Sequence, residues 1–151
     1  MDQNRKAFLD MIAVSEIGKP LLAASDNGYN VIVGGALFQG YDDHPRKLVY
    51  LPKLRQNSSA AGRYQILARY YDAYKKQLGL KDFSPDSQTA IAMQMIKECR
   101  ALNDIDAGRF ASAVAKCASR WASFPGATYG QHTNKIEALQ AAYKAAGGVL
   151  A

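Results

Sequence analysis

Several features that define common functional classes are scarce or missing from this sequence. No apolar run approaches the length of a membrane-spanning helix, and the basic N-terminus lacks the apolar core of an export signal. Only two histidines occur, His44 and His132, and they fit no metal-ligand spacing. Neither G-x-S-x-G nor a Walker loop is present, so acyl transfer and nucleotide hydrolysis get little support. We expect no metal, no other cofactor and no stable membrane insertion.

Cysteine is also scarce. Cys99 and Cys117 fall inside helical patterns and lack the C-x-x-C spacing of redox or metal sites. We expect buried free thiols, and a disulfide between the two helices is the alternative.

The net charge of +6 suits a polyanionic partner such as nucleic acid, an anionic membrane or a cell-wall polymer. The basic residues are scattered, however, and form no dense run. A solvated basic surface is therefore the plainer interpretation.

Glutamate is scarce as well, with Glu16, Glu98 and Glu137 the only three in the chain. Glu16 ends an amphipathic segment, and helical spacing places it on the apolar face with Ile12 and Leu9. Lost hydration and the negative end of the helix dipole both raise the pKa of a carboxyl group there. A raised pKa is what a general acid needs near neutral pH. A side chain turned outward to solvent is the alternative.

The pattern along the chain predicts an α+β protein with one domain over residues 1–151. We expect a helix over residues 3–17, a loop to Ser25, and then a small antiparallel sheet from short β-branched runs. Helices should follow over the ranges 58–80, 84–100 and 108–122, with a last one capped by Asn134 and Glu137. Segregated sheet and helical lobes would leave a cleft for a long ligand, with Glu16 at the join.

Two segments combine tyrosines and amides with flexible glycines. The first covers residues 59–65 and the second residues 125–131. Tyrosine rings stack on sugar faces and amides bond to hydroxyl and acetamido groups, so both segments fit a saccharide site. A plain connection between helices is the other interpretation.

Together with Glu16, these segments resemble the endolysin family of phage lambda, in the same order along the chain. The matching stretches are residues 8–13, 15–16, 28–35, 43–47, 61–65, 76–85, 121–123, 125–126 and 129–131. The resemblance implies a lysozyme-like fold with the active cleft between a small β lobe and a mainly helical lobe. It also implies lytic transglycosylase activity on peptidoglycan, leaving a 1,6-anhydro sugar. Holin-dependent release from the host cytoplasm to the periplasm is implied as well.

The resemblance assigns Glu16 as the catalytic residue. It places Gln65, Tyr129 and Gln131 in the saccharide cleft, and the tyrosine-and-amide segment over residues 59–65 adds Ser59 and Tyr64 as binding residues. We also include Asp26 and Asp43 as a possible second carboxylate. An internal sugar hydroxyl as nucleophile would remove the need for that second acid.

Two rival functions remain open at this point. The nearer one is a muramidase that uses water, and the other is a non-catalytic basic module that holds wall polymer or nucleic acid. We expect a monomer that binds glycan strands and no nucleic acid.

Overall fold

The computed structural model describes residues 1–126 and 133–151, which form two compact units. One unit consists of Met1–Glu16 with Met93–Ala151, and the other consists of Ile17–Ala92. Helices and one small antiparallel sheet make the α+β class, as the sequence predicted. That the whole chain acts as one domain stays a prediction.

The first unit is helical. Its elements are α1 (Gln3–Glu16), the end of α4 (Pro85–Glu98), α5 (Leu102–Asp106), α6 (Phe110–Cys117) and α7 (Ile136–Ala145). Its core is aromatic, because Phe8 on α1 packs edge-on against both Phe110 and Phe124. Trp121 and Tyr143 extend that cluster. Burial of such large rings is the main source of stability for this unit.

The second unit holds the sheet. Its elements are α2 (Lys19–Ala23), β1 (Val49–Leu51), β2 (Gln56–Ser58), α3 (Ala68–Leu78) and the start of α4. The two strands pair antiparallel, with Tyr50 opposite Asn57. His44 is buried against Phe83 and Tyr71, and its Nε2 lies 2.8 Å from the Ile66 carbonyl oxygen.

The predicted sheet is too large. The run around Val31 and the run around Leu37 meet only in an isolated antiparallel bridge, not in paired strands. The true partner of β1 is the polar segment Gln56–Ser58, which no β-branched pattern marks. An exposed edge strand needs no apolar side chains, so hydrophobic periodicity could not find it.

The long helix predicted over residues 58–80 is also wrong in its first part. α3 begins only at Ala68, and the residues before it form a tight turn in which Ala61 bridges both Ile32 and Ile66. Gly62 and Gln65 have positive φ angles of 84° and 53°, which no α-helix accommodates. The hydrophobic spacing predicted that this segment is buried, but it did not show that the backbone before Ala68 is not helical.

Two short helices were missed. α2 lies where a loop was expected, with Pro20 in its first turn, a position that proline tolerates. α5 separates α4 from α6, so the predicted helix over 108–122 shortens to Phe110–Cys117.

Two helix starts differ in how they are capped. Ser84 accepts a hydrogen bond from the Ser87 backbone N–H at 3.3 Å and so caps α4. The reciprocal cap of Asn134 and Glu137 is wrong, because α7 starts at Ile136 with Lys135 in the capping position and no side-chain cap bond. The Asn134 side chain instead donates hydrogen bonds to Ser15 near the end of α1.

Cys99 and Cys117 are free thiols, with Cys117 buried and Cys99 partly so, as expected. No helix in the described part of the chain is long and apolar enough to cross a membrane.

Candidate active site

Glu16 is the last residue of α1, on the face that the sequence predicted. Ile12 and Ala13 beside it are fully buried, and Leu9 is nearly so. Its side chain keeps a fraction of accessible surface, yet loss of hydration raises the pKa of the carboxyl group from 4.5 to about 7. A hydrogen bond from Ser123 opposes that rise.

Ser123 belongs to a polar chain inside the helical unit. Its Oγ lies 2.7 Å from Ser15 Oγ, and Asn134 Nδ2 donates to Ser15 Oγ at 3.0 Å. Asn134 Nδ2 also donates to the Ser15 carbonyl oxygen at 3.1 Å, and the Asn134 backbone N–H donates to the Ser123 carbonyl oxygen at 2.8 Å. These bonds fasten the end of α1 to the segment around Ser123.

A carboxyl group with a pKa of about 7 holds comparable amounts of its acid and its base at neutral pH. One side chain can therefore donate a proton in one step and take a proton in the next. An ordinary glutamate is almost fully ionised at this pH and can do only the second.

The raised pKa of Glu16 also predicts how stability depends on pH. The folded state holds the Glu16 proton more tightly than the unfolded state, so this contribution is fully present below pH 4.5 and is lost as pH rises through about 7. Glu16→Gln removes the ionisation. The free energy of unfolding of the variant, relative to wild type, should rise by about 1 to 3 kcal/mol between pH 4 and pH 8. Urea denaturation at both pH values measures it, and equal differences at the two would contradict the buried setting.

Gln65 ends the tight turn of the second unit. Its Nε2 donates to the Gly62 carbonyl oxygen at 2.8 Å and to the Val31 carbonyl oxygen at 3.3 Å. Its left-handed φ of 53° is unusual for a residue with a side chain and is held by these bonds and by the bridge of Ala61 with Ile66. The side chain is half-buried, so part of it faces solvent in a fixed position.

Gly62 is required by the packing of this turn. A Cβ at this position would collide with the amide of Gln88 and touch the Phe83 ring, and the φ of 84° already favours glycine. Gly62 therefore allows the turn to pack against α4.

Tyr64 and Ser59 serve the structure of this turn. Tyr64 is 1% exposed and its hydroxyl bonds with Arg63 and Thr89, so its ring offers no free face for a sugar to stack on. Ser59 Oγ accepts the Ala68 backbone N–H at 3.0 Å, which satisfies a donor at the start of α3. The expectation of direct sugar stacking on Tyr64 is corrected accordingly.

The two aspartates considered as a second carboxylate are engaged within their own unit. Tyr41 Oη donates to Asp26 Oδ2 at 2.5 Å. Asp43 pairs with Arg46 at 2.9 Å, and that guanidinium, which Asp72 also binds, holds the pKa of Asp43 below its usual range.

Tyr129 and Gln131 lie outside the described residues. Glu16, Ser15, Ser123 and Asn134 are brought together in the helical unit, whereas Gln65 and the other predicted binding residues belong to the second unit. That the two sets line one cleft stays a prediction.

Sequence reasoning missed four functional or supporting polar residues: Ser15, Ser123, Asn134 and Gln88. The first two stand in stretches that carry the family resemblance, but nothing in their spacing says that their hydroxyls meet. Asn134 was taken for a helix cap, and a buried glutamine such as Gln88 gives no pattern at all.

Comparison with known proteins gives consistent results over the whole chain. A family model described as endolysin matches residues 6–150. The endolysin of Escherichia phage lambda is 55% identical over 99% of this chain and 95% of its own length. The endolysin of Escherichia phage P2 is 44% identical over 97% of this chain and 94% of its own length.

Solved structures agree. The lysozyme of bacteriophage lambda in complex with a chitohexasaccharide is similar at a TM-score of 0.93 and 53% identity, covering 100% of this chain and 98% of that one. A second structure of the lysozyme from bacteriophage lambda has a TM-score of 0.88 at 52% identity, with the same shares covered.

Proposed function

Because the chain belongs to the endolysin family and is thus an enzyme acting on the bacterial cell wall, we propose that it is a lytic transglycosylase whose catalytic residue is Glu16. It cleaves the β-1,4 bond between N-acetylmuramic acid and N-acetylglucosamine and closes the muramic acid into a 1,6-anhydro ring. The observation that carries this proposal is the place of Glu16 at the end of α1 beside fully buried Ile12 and Ala13, where lost hydration raises the pKa of its carboxyl group to about 7. The alternative of a non-catalytic binding module is set aside by the family.

In the first step, protonated Glu16 donates its proton to the glycosidic oxygen. The bond from that oxygen to C1 of the muramic acid breaks, and positive charge develops at C1 in an oxocarbenium-like state. The raised pKa supports this role, since the acid form must be present where the enzyme works.

In the second step, the Glu16 carboxylate takes the proton of the C6 hydroxyl of the same sugar. The freed O6 attacks C1 and closes the anhydro ring, and Glu16 ends the cycle protonated again. No water is consumed. Because the nucleophile belongs to the substrate, its effective concentration at C1 is large, and no second carboxylate has to activate water.

The engagement of Asp26 and Asp43 supports this scheme over ordinary hydrolysis. Asp43 is exposed and ion-paired with Arg46, and Asp26 accepts the Tyr41 hydroxyl. A carboxylate whose pKa is lowered by a guanidinium is a weak base for activating water.

For the substrate, we propose a glycan strand, in line with the chitohexasaccharide bound by the lambda lysozyme. Gln65 fits the role of an amide contact, because its side chain is partly open and its position is fixed. Tyr129 and Gln131 are proposed as further sugar contacts on the strength of the family resemblance. Tyr64 and Ser59 act by holding the turn that carries Gln65.

The reaction products separate the two enzymatic alternatives. Digestion of purified peptidoglycan should release muropeptides with anhydro ends, which mass spectrometry distinguishes because hydrolysed ends are heavier by one water. The Glu16→Gln protein is the control for non-enzymatic cleavage. Products that all carry the added water would establish a muramidase and overturn the second step.

In the cell, we propose that the enzyme is made in the host cytoplasm and acts in the periplasm after release by a holin, as a monomer. Expression in the cytoplasm without a holin should then leave cells intact, and permeabilising the inner membrane should bring rapid lysis. Lysis without permeabilisation would contradict this route.

A further inference from the structure

A glutamate that must both give and take a proton needs a hydrogen-bond partner suited to both of its states. A hydroxyl meets that requirement, since its O–H donates to a carboxylate and its oxygen accepts from a carboxylic acid. Ser123 is 4% exposed, and its Oγ lies 2.7 Å from the Oγ of Ser15, the residue next to Glu16. From this buried position its hydroxyl lowers the pKa of the Glu16 carboxyl group by hydrogen bonding, with little competition from water. The two steps of the proposed reaction assign Ser123 no role.

The direction of the Ser123 hydroxyl is set by the residues behind it. The amide nitrogen of Asn134 can only donate, so at 3.0 Å it occupies one lone pair of Ser15 Oγ. Ser15 can then donate its own proton across the 2.7 Å contact to Ser123 Oγ. That leaves the Ser123 proton to point at Glu16. All three donations run toward the carboxyl group, and bonds in such a chain strengthen one another.

The same chain is held in place by the backbone. Asn134 spans the two segments, since its side chain binds the Ser15 carbonyl oxygen and its backbone N–H binds the Ser123 carbonyl oxygen. The Ser15 carbonyl lies in the last turn of α1, where carbonyls have no partner within the helix. One asparagine therefore fixes both the helix end that carries Glu16 and the segment that carries Ser123.

Other charges near α1 are accounted for by their own partners. The helices that pack most extensively against α1 are α5 and α7, and α6 meets it where Phe110 contacts Phe8. On α5, Asp106 pairs with Arg5, and Asp104 pairs with Arg109 and Lys116.

On α7, Glu137 and Lys144 are exposed, and Tyr143 donates its hydroxyl to the Val149 carbonyl oxygen. Among the described residues, burial and Ser123 are the influences that act on the ionisation of Glu16.

We propose that Ser123 is a positioning residue for Glu16, and that Ser15 and Asn134 orient its hydroxyl so that Glu16 can alternate between acid and base. The role as a partner in catalysis rests on the function proposed above, whereas the coupling of Ser123 to Glu16 does not. Burial favours the protonated form of Glu16, and the hydrogen bond from Ser123 stabilises its carboxylate form against that effect. Without it, Glu16 would keep its proton to higher pH and would be slower to recover the base that the second step needs.

The polypeptide contains only three glutamates, which makes a direct test possible. Protein labelled with ¹³C at the glutamate carboxyl carbons should give three titrating NMR signals, and the signal missing from Glu16→Gln identifies Glu16. In Ser123→Ala the midpoint of that signal should move up by about one pH unit. In Ser15→Ala and Asn134→Leu it should move in the same direction by less. Ser123→Thr, which restores a hydroxyl, should return toward wild type.

Ser112→Ala is the matched control, since Ser112 is exposed on α6 of the same unit. A purely structural role for Ser123 would lower the melting temperature and leave the Glu16 midpoint unchanged, and that result would overturn the proposal. If Ser123→Ala does not fold, Ser15→Ala serves as the test, because alanine suits the helical position of Ser15. An unchanged Glu16 midpoint in Ser15→Ala would equally overturn the proposed hydrogen-bond chain.

Activity measurements keep the two proposals apart. The high-pH limb of wall lysis should follow the Glu16 midpoint in each variant if Glu16 is the acid. A shifted midpoint with an unshifted activity profile would leave the hydrogen-bond chain standing and would count against Glu16 as the catalytic group.

Discussion

Replacing Glu16 by glutamine is expected to reduce wall lysis by at least about 100-fold, and by up to about 10,000-fold, while the protein stays folded. Glutamine has nearly the same shape and still accepts a hydrogen bond from Ser123, but it has no proton to give to the glycosidic oxygen. It also cannot take the proton of the C6 hydroxyl. The loss should therefore appear in turnover and not in binding of the glycan. Turbidity of a suspension of purified walls measures turnover, and a pull-down on insoluble walls measures binding.

Glu137→Gln is the control for this experiment. Glu137 is exposed in the first turn of α7, so its substitution makes the same chemical replacement without touching the buried carboxyl group. Its activity should stay close to that of wild type. If Glu16→Gln retained even about a tenth of wild-type turnover, Glu16 could not be the general acid, because that catalysis supplies at least about two orders of magnitude.

The setting of Glu16 could be predicted from the sequence because it depends on helical periodicity alone. Fourteen residues of amphipathic pattern fix which face of α1 is buried, and Glu16 falls on that face at its end. The structure confirms the helix to within one residue, the raised pKa in direction, and burial as its cause. Local pattern was sufficient because the helical period decides which face of α1 is buried.

The partners of Glu16 could not be predicted in the same way. Ser123 is more than 100 residues away along the chain, and its contact with Ser15 forms only when the helical unit folds. Asn134 shows how a correct rule can mislead: its type and spacing fit a helix cap, but the donors in its side chain meet Ser15 instead. Tertiary hydrogen bonds outcompete a local cap when they satisfy a buried helix end.

The helix predicted before Ala68 was wrong for a related reason. Its apolar residues have helical spacing, yet Ala61 and Ile66 pair with each other across a sharp reversal at Gly62. The reversal depends on the buried side-chain amide of Gln88 on α4. No pattern in the local sequence links Gln88 to this turn. The same turn carries Gln65, so its conformation matters for the proposed glycan site.

Gln88→Leu is expected to lower the free energy of unfolding by about 3 to 6 kcal/mol, a large effect for a polar residue. The Gln88 side chain is fully buried, and its Oε1 accepts the Arg63 backbone N–H at 3.0 Å. Its Nε2 donates to the carbonyl oxygens of Tyr29 at 3.1 Å and of Phe83 at 2.9 Å. Leucine fills a similar volume but leaves all three buried backbone groups without this partner, and each costs about 1 to 3 kcal/mol.

Gln94→Leu is the matched control, because Gln94 lies on the same helix and its Nε2 bonds to Glu98 at the surface. Its effect in urea denaturation should stay within about 1 kcal/mol. A Gln88→Leu loss no larger than that of Gln94→Leu would mean that the backbone groups find other partners. In the folded fraction of Gln88→Leu, we further expect weaker glycan binding with an unchanged Glu16 midpoint. The reason is that the turn holding Gln65 relaxes while the chain of Ser15, Ser123 and Asn134 remains intact in the other unit.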